Sequence, residues 1–219
     1  MGVRTPARVL IVATLGLILL AGFGLRACRL SAEGLSEDEL NKLPCALIVM
    51  GVSGSGKSTI GEKLAERLGW SYEDGDKFHP ASNVTKMSAG QPLTDEDRWP
   101  WLRAIADEIE RVCEAGEHAV IASSALKRAY RDILVHGRPD VRIIFLDGPQ
   151  ELIASRLALR KNHFMPPGLL QSQFRTLEPP DASENPVAVS IDGSVETIVN
   201  DILRQLGFGA ADTDAGNRS

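Results

Sequence analysis

Eight residues, Gly51 to Ser58 ("GVSGSGKS"), constrain this chain more than any other stretch. They fit the pattern G-x-x-x-x-G-K-[ST] and stand between two segments of different periodicity. Before them, "ALIVM" (Ala46 to Met50) is a continuous apolar run, the pattern of a strand buried on both faces. After them, Ile60, Leu64 and Leu68 recur every four residues and Gly69 closes the run, which predicts an amphipathic helix with a glycine C-cap. In that setting glycines let successive backbone N–H groups point inward as a nest for phosphate oxygens, reinforced by the dipole of the following helix. Lys57 then reaches the β and γ phosphates, and the Ser58 hydroxyl is a candidate magnesium ligand. Chance alone would produce the pattern at on the order of 1% in a chain of this length, and chance rarely adds the strand and the helix. The predicted ligand is a nucleoside triphosphate held by Gly51, Val52, Ser53, Gly54, Ser55, Gly56, Lys57, Ser58 and Thr59.

The same alternation continues downstream. "WSYED" (70–74), "HAVIAS" (118–123), "VRIIFL" (141–146) and "VAVSI" (187–191) read as short strands separated by helical patterns. Such an order predicts an α/β fold, a parallel five-stranded sheet with helices on both faces. Thr94 to Gly116 is a long helical region with Trp99, Leu102, Ile105, Ala106, Ile109, Val112 and Cys113 on one stripe. Pro100 lacks a backbone donor and is best tolerated in a first turn, which predicts a regular helix start near Asp97. Trp99 and Trp101 are two apart and cannot share a helical face, so Trp99 is assigned to the core and Trp101 to the wall of a pocket.

With 219 residues, 43% of them hydrophobic, the chain suits one globular domain with peripheral additions. Its net charge of -5 argues against bulk nucleic-acid binding. Cys28, Cys45 and Cys113 are odd in number and widely spaced, suggesting neither a disulfide framework nor a metal site, and hence reduced thiols. Residues 1–8 are basic, and residues 9–25 form an uncharged apolar segment bracketed by Arg4, Arg8, Arg26 and Arg29. A membrane anchor, a signal peptide and a mis-assigned start all fit that segment. Residues 26–44 read as a linker, 45–208 as the folded domain, and 209–219 as a disordered tail.

The third predicted strand ends "IASSALK", with Ser123 and Ser124 where a magnesium-binding Asp often stands. The nearest strand-end carboxylates are Asp74 and Asp76, in "EDGDKFHP" after strand two. In open α/β sheets ligands sit at the carboxyl ends of the strands, so this pair should share an edge with the phosphate loop. Two carboxylates across a glycine allow one to face the metal (Asp74) and one to face an acceptor hydroxyl (Asp76).

"GVSGSGKST", "DGDKFHPASNVTKMSAGQPLTDEDRWPWL", "SSALKRAYRDIL", "RLALRKNHFM" and "SQFRTLEPP" together resemble the gluconokinase family, a small phosphate-loop type related in fold to shikimate and adenylate kinases. The resemblance runs from about Ala46 to Leu206. It implies a P-loop kinase fold with a mobile lid, ATP and Mg2+, and transfer of the γ-phosphoryl of ATP to the 6-hydroxyl of D-gluconate. It further implies a homodimer and a cytoplasmic enzyme, or one anchored with its kinase domain facing the cytoplasm. Acceptor candidates are Asp76, His79, Lys86, Arg98, Lys127 and Arg131, while Arg156 and Arg160 on the lid-like helix are candidates for the phosphates. A shikimate-like or nucleoside-monophosphate kinase is the alternative, and a nucleotide sensor without phosphotransfer is a reading of another class.

Overall fold

The computed structural model describes residues 43–159 and 167–208. The apolar segment 9–25, nearly all of the linker, Arg160 with the rest of the predicted lid tip, and the tail 209–219 lie outside the described residues. Among the described residues no helix is long and apolar enough to cross a membrane.

Five strands, β1 (Ala46–Met50), β2 (Ser71–Asp74), β3 (Ala119–Ala122), β4 (Val141–Asp147) and β5 (Val187–Ser190), form one sheet in the order β2-β3-β1-β4-β5. Every neighbouring pair is parallel. The helices are α1 (Lys57–Leu68), α2 (Ala81–Ser88), α3 (Asp95–Glu114), α4 (Arg128–Val135), α5 (Gln150–Leu159), α6 (Pro167–Thr176) and α7 (Val195–Gln205). Short 3-10 turns cover Gly75–Phe78 and Ala182–Glu184.

All five residues of β1 are wholly buried, as a continuous apolar run requires. Leu47 and Val49 point into a core built with α1 and α7 through Ile60, Leu64, Ile198 and Ile202. Ala46, Ile48 and Met50 point into a second core with α3 and α4 through Leu102, Ile105, Ile109 and Leu134. The period-two alternation of one strand thus divides the molecule into two layers. At the edge, β5 alternates buried and exposed residues.

Two local expectations are corrected. Helix α3 begins at Asp95 instead of near Asp97, because Thr94 and Asp97 close a capping box that fixes the start earlier. Pro100 consequently lies inside the helix but on its exposed side, where a carbonyl left without its intrahelical donor can be hydrated. The expected division between the tryptophans is corrected too: Trp101 is the buried one, at 2% exposure, whereas Trp99 is half-buried at the margin of the same core and meets Tyr130 edge-on.

The expectation of unpaired thiols is corrected as well. Cys45, just before β1, is joined to Cys113, in the last turn of α3, by a disulfide across a sequence separation of 68. A second tie is polar. The Arg131 guanidinium of α4, 1% exposed, donates to both carboxylate oxygens of Glu184 at 2.6 and 2.9 Å, and to the carbonyls of Ala125 and Leu126. Burial alone would push the Glu184 carboxyl up, but Arg131 and the backbone hold it below the ordinary range.

Both ties have measurable consequences for stability. Reducing the disulfide lowers stability by about 4 kcal/mol on the chain-entropy relation for a loop of this size, read as the shift in urea midpoint with and without dithiothreitol; equal midpoints would refute the link. Glu184→Ala leaves a buried guanidinium unpaired and costs about 3–5 kcal/mol in the same measurement. Since the folded Glu184 value is depressed, its stabilisation is complete above the unfolded carboxyl range and disappears as pH falls through the lower folded value. Glu184→Gln should flatten that acid-side slope.

Candidate active site

The carboxyl ends of the parallel strands meet at one edge of the sheet. β1 runs directly into the phosphate loop, whose Gly54 (φ 84) and Gly56 (φ 99) adopt left-handed backbone. Gly54 needs its missing side chain twice over, since a Cβ there would also approach Leu157 of α5 to 2.7 Å. Val52 and Ser55 are buried, and the Lys57 ammonium donates to the Val52 carbonyl at 3.1 Å. Gln173 of α6 accepts from the Ser53 backbone N–H at 2.6 Å, so a side chain already engages one of the amides expected to face phosphate. Nothing local in the sequence marks Gln173 for this contact. Its block, "SQFRTLEPP", was the available signal. Ser58 and Thr59 are exposed at the start of α1.

β2 delivers Asp74 and Asp76 to the same edge. Asp74 caps the 3-10 turn, one of its oxygens accepting from the Asp76 N–H at 3.0 Å. Gly75 between them is buried against β3, where any Cβ would collide with the Ala122 carbonyl. Its own carbonyl accepts the indole N–H of Trp101 at 2.7 Å, and the Trp101 ring stacks on His79 with centroids 4.3 Å apart. The His79 side chain is 5% exposed and its Nε2 lies 3.9 Å from Asp76 Oδ1, while the Asp76 side chain is 80% exposed. Burial pushes the His79 imidazole below its ordinary value, with Arg98 adding to the shift and Asp76 opposing it. At the end of β3, the Ser123 hydroxyl is buried and lacks a hydrogen-bond partner among the described residues.

The proposed acceptor cations gather near the start of α3, where carboxylates hold them. Lys127 donates to both oxygens of Asp95, at 2.9 and 2.6 Å, and the Tyr130 hydroxyl donates to the same carboxylate at 2.6 Å. Hydrogen bonds from Lys127 and then Tyr130 hold the Asp95 carboxyl low, and Asp95 in turn raises Lys127. Arg98 approaches Asp95 to 4.0 Å and lies over the Tyr130 ring. Lys86 of α2 pairs with Asp97 at 2.6 Å, holding that carboxyl below the usual range. Arg131 stands apart from this group, committed to Glu184. Arg156 donates to the Ile191 carbonyl at 2.8 Å. Asp95 and Tyr130 carry no local mark in the sequence beyond their places in two of the blocks on which the family resemblance rests. Their hydrogen bond joins those blocks.

Comparison with known proteins adds an independent line. The family described as AAA domain matches residues 47–180. A probable gluconokinase of Mus musculus is 45% identical over 180 residues, covering 74% of this chain and 98% of its own length. The thermosensitive gluconokinase of Escherichia coli (strain K12) is 49% identical over 147 residues, 67% of this chain and 78% of that protein. Among solved structures, a gluconokinase from Sinorhizobium meliloti 1021 superposes with a TM-score of 0.69 at 46% identity, covering 75% of this chain and 93% of the other. With a P-loop kinase fold, a complete phosphate loop and relatives matched along nearly their whole length, this chain belongs to the gluconokinase family.

Proposed function

We propose that this chain transfers the γ-phosphoryl group of ATP to the 6-hydroxyl of D-gluconate, giving 6-phospho-D-gluconate and ADP. One juxtaposition carries the reading. The phosphate loop and the Asp74–Asp76 turn open at the same end of the sheet, and Lys86, Arg98 and Lys127 collect at the start of α3 beside them. A polyhydroxy acid requires cations for its carboxylate, polar groups for its hydroxyls and a carboxylate for the attacking hydroxyl.

In this reading Asp76 orients the 6-hydroxyl and accepts its proton as the new O–P bond forms and the bond to ADP breaks. Lys57 and the loop amides hold the transferring and leaving phosphates, with Gly51 to Thr59 as the nucleotide cradle. Arg98 and Lys127 face the acceptor, helped by Lys86, and Arg131 acts at one remove by fixing α4. Arg156, and Arg160 beyond it, serve the phosphates. The Ser58 hydroxyl and the Asp74 carboxylate would hold Mg2+, all oxygen as that ion prefers. The orphaned Ser123 hydroxyl at the same strand ends suits a metal-bound water. Magnesium, when bound, neutralises charge on the phosphate oxygens. The kinase domain is read as residues 45–208, working where ATP is supplied, in the cytoplasm or facing it, as a homodimer.

An ADP-coupled assay over gluconate, shikimate and nucleoside monophosphates tests the acceptor. Turnover of gluconate is expected, and its absence beside robust turnover of another acceptor would overturn the reading. Asp76→Asn should lower kcat by about 10²–10⁴-fold while ATP binding, measured by calorimetry, is retained. A pure nucleotide sensor would instead show ATP hydrolysis unchanged by that substitution and indifferent to gluconate.

A further inference from the structure

Asn83 on α2 is 2% exposed and carries the informative contact. Its amide nitrogen donates to the Asp97 carbonyl at 2.7 Å, which settles the orientation of the amide, because the side-chain oxygen in that place would face another oxygen. The second hydrogen of the same nitrogen lies toward His79 Nδ1, 3.3 Å away. An amide nitrogen can only donate, so Nδ1 must accept, and a neutral imidazole then carries its proton on Nε2. Nε2 is the atom that faces Asp76, across 3.9 Å.

The rest of the pocket holds the ring in that pose. Trp101 covers one face of the imidazole, and the His79 backbone N–H donates to the Asp76 carbonyl at 3.2 Å, closing the turn. The Asp76 side chain is 80% exposed, so its carboxylate can swing onto a fixed donor. Catalytic hydrogen bonds are often long before substrate arrives and tighten on binding.

The geometry points to Asn83 and His79 as a two-residue positioning relay: Asn83 sets the imidazole tautomer, and the resulting Nε2–H binds one oxygen of Asp76, leaving the other oxygen aimed at the acceptor hydroxyl. With the opposite tautomer, an imidazole lone pair would face the carboxylate and drive it away. His79 is therefore a positioning residue that acts through Asp76, and it need not touch the sugar acid. This inference rests on the role proposed for Asp76 above.

The test has two arms. In the full-length protein without substrate, above the pH at which imidazoles protonate, the 15N shifts of His79 should be pyridine-like at Nδ1 and pyrrole-like at Nε2. The His79→Gln variant identifies the signals by their loss. The reverse pattern overturns the proposal. In the second arm, Asn83→Asp, which substitutes an acceptor for the donor, should lower kcat roughly 10–100-fold, the cost typical of losing a group that orients a functional side chain, with KM for ATP unchanged. Because Asn83→Asp also removes the bond to Asp97, the pair His79→Gln and His79→Asn supplies a comparison that leaves α2 intact. Gln can place its NH2 where Nε2–H points and should retain much of kcat, whereas Asn places its amide nearer Nδ1 and should not. Equal losses in the two variants overturn the relay. The NMR arm needs no acceptor, so an Nε2–H signal in a protein inactive on gluconate would sink the acceptor assignment and leave the tautomer standing.

Discussion

The hydrogen bond from the Trp101 indole to the Gly75 carbonyl connects the interior to the chemistry. Trp101 is buried among the residues of α3, and Gly75 is pressed against the Ala122 carbonyl with Ile105 and Ser123 close by. The turn can neither sink into the sheet nor lift from it without leaving a buried donor unsatisfied, which costs about 1–3 kcal/mol. Asp74 and Asp76 thereby inherit the rigidity of the core while remaining exposed to incoming ligands. That combination is what a phosphotransfer site needs, since catalysis there is largely positioning and electrostatics.

Charge around the start of α3 follows a similar logic. Lys127, Tyr130 and Arg98 converge on the single carboxylate of Asp95, and Lys86 converges on Asp97. Long cationic side chains lose entropy when fixed, so pairing them beforehand lowers the cost of ordering them around a ligand. It also places mutually repelling cations within a few ångströms of each other in a chain whose net charge is -5. The contacts between "LTDEDRWPWL" and "SALKRAYRD" supply a physical reason for those two blocks to occur together.

What could be read from the sequence was set by periodicity and local chemistry. Ile60, Leu64, Leu68 and the Gly69 cap announce α1 because a helix repeats every 3.6 residues and ends readily on a left-handed glycine. β1 is equally legible, since a run without polar residues can only be buried on both faces. Legibility ends where contacts beyond the residue itself decide. Pro100 by its own backbone points to a helix start near Asp97, yet the capping box closed by Thr94 and Asp97 sets it at Asp95. Trp101 earned its burial from Gly75, a residue 26 positions away, and the two cysteines from the packing of α3 on β1. Within the site, the phosphate loop was evident from spacing alone. Asn83 was not, because nothing local marks a buried amide that serves two acceptors.

The disulfide has a topological meaning as well as an energetic one. Cys45 and Cys113 close a covalent ring that contains the phosphate loop, the Asp74–Asp76 turn, Asn83 and Arg98, while Lys127, Arg131 and Arg156 lie outside it. A protease that cut the backbone once inside the ring would not release a fragment. The phosphate loop and the Asp74–Asp76 turn would remain tethered to each other until a reductant opened the ring.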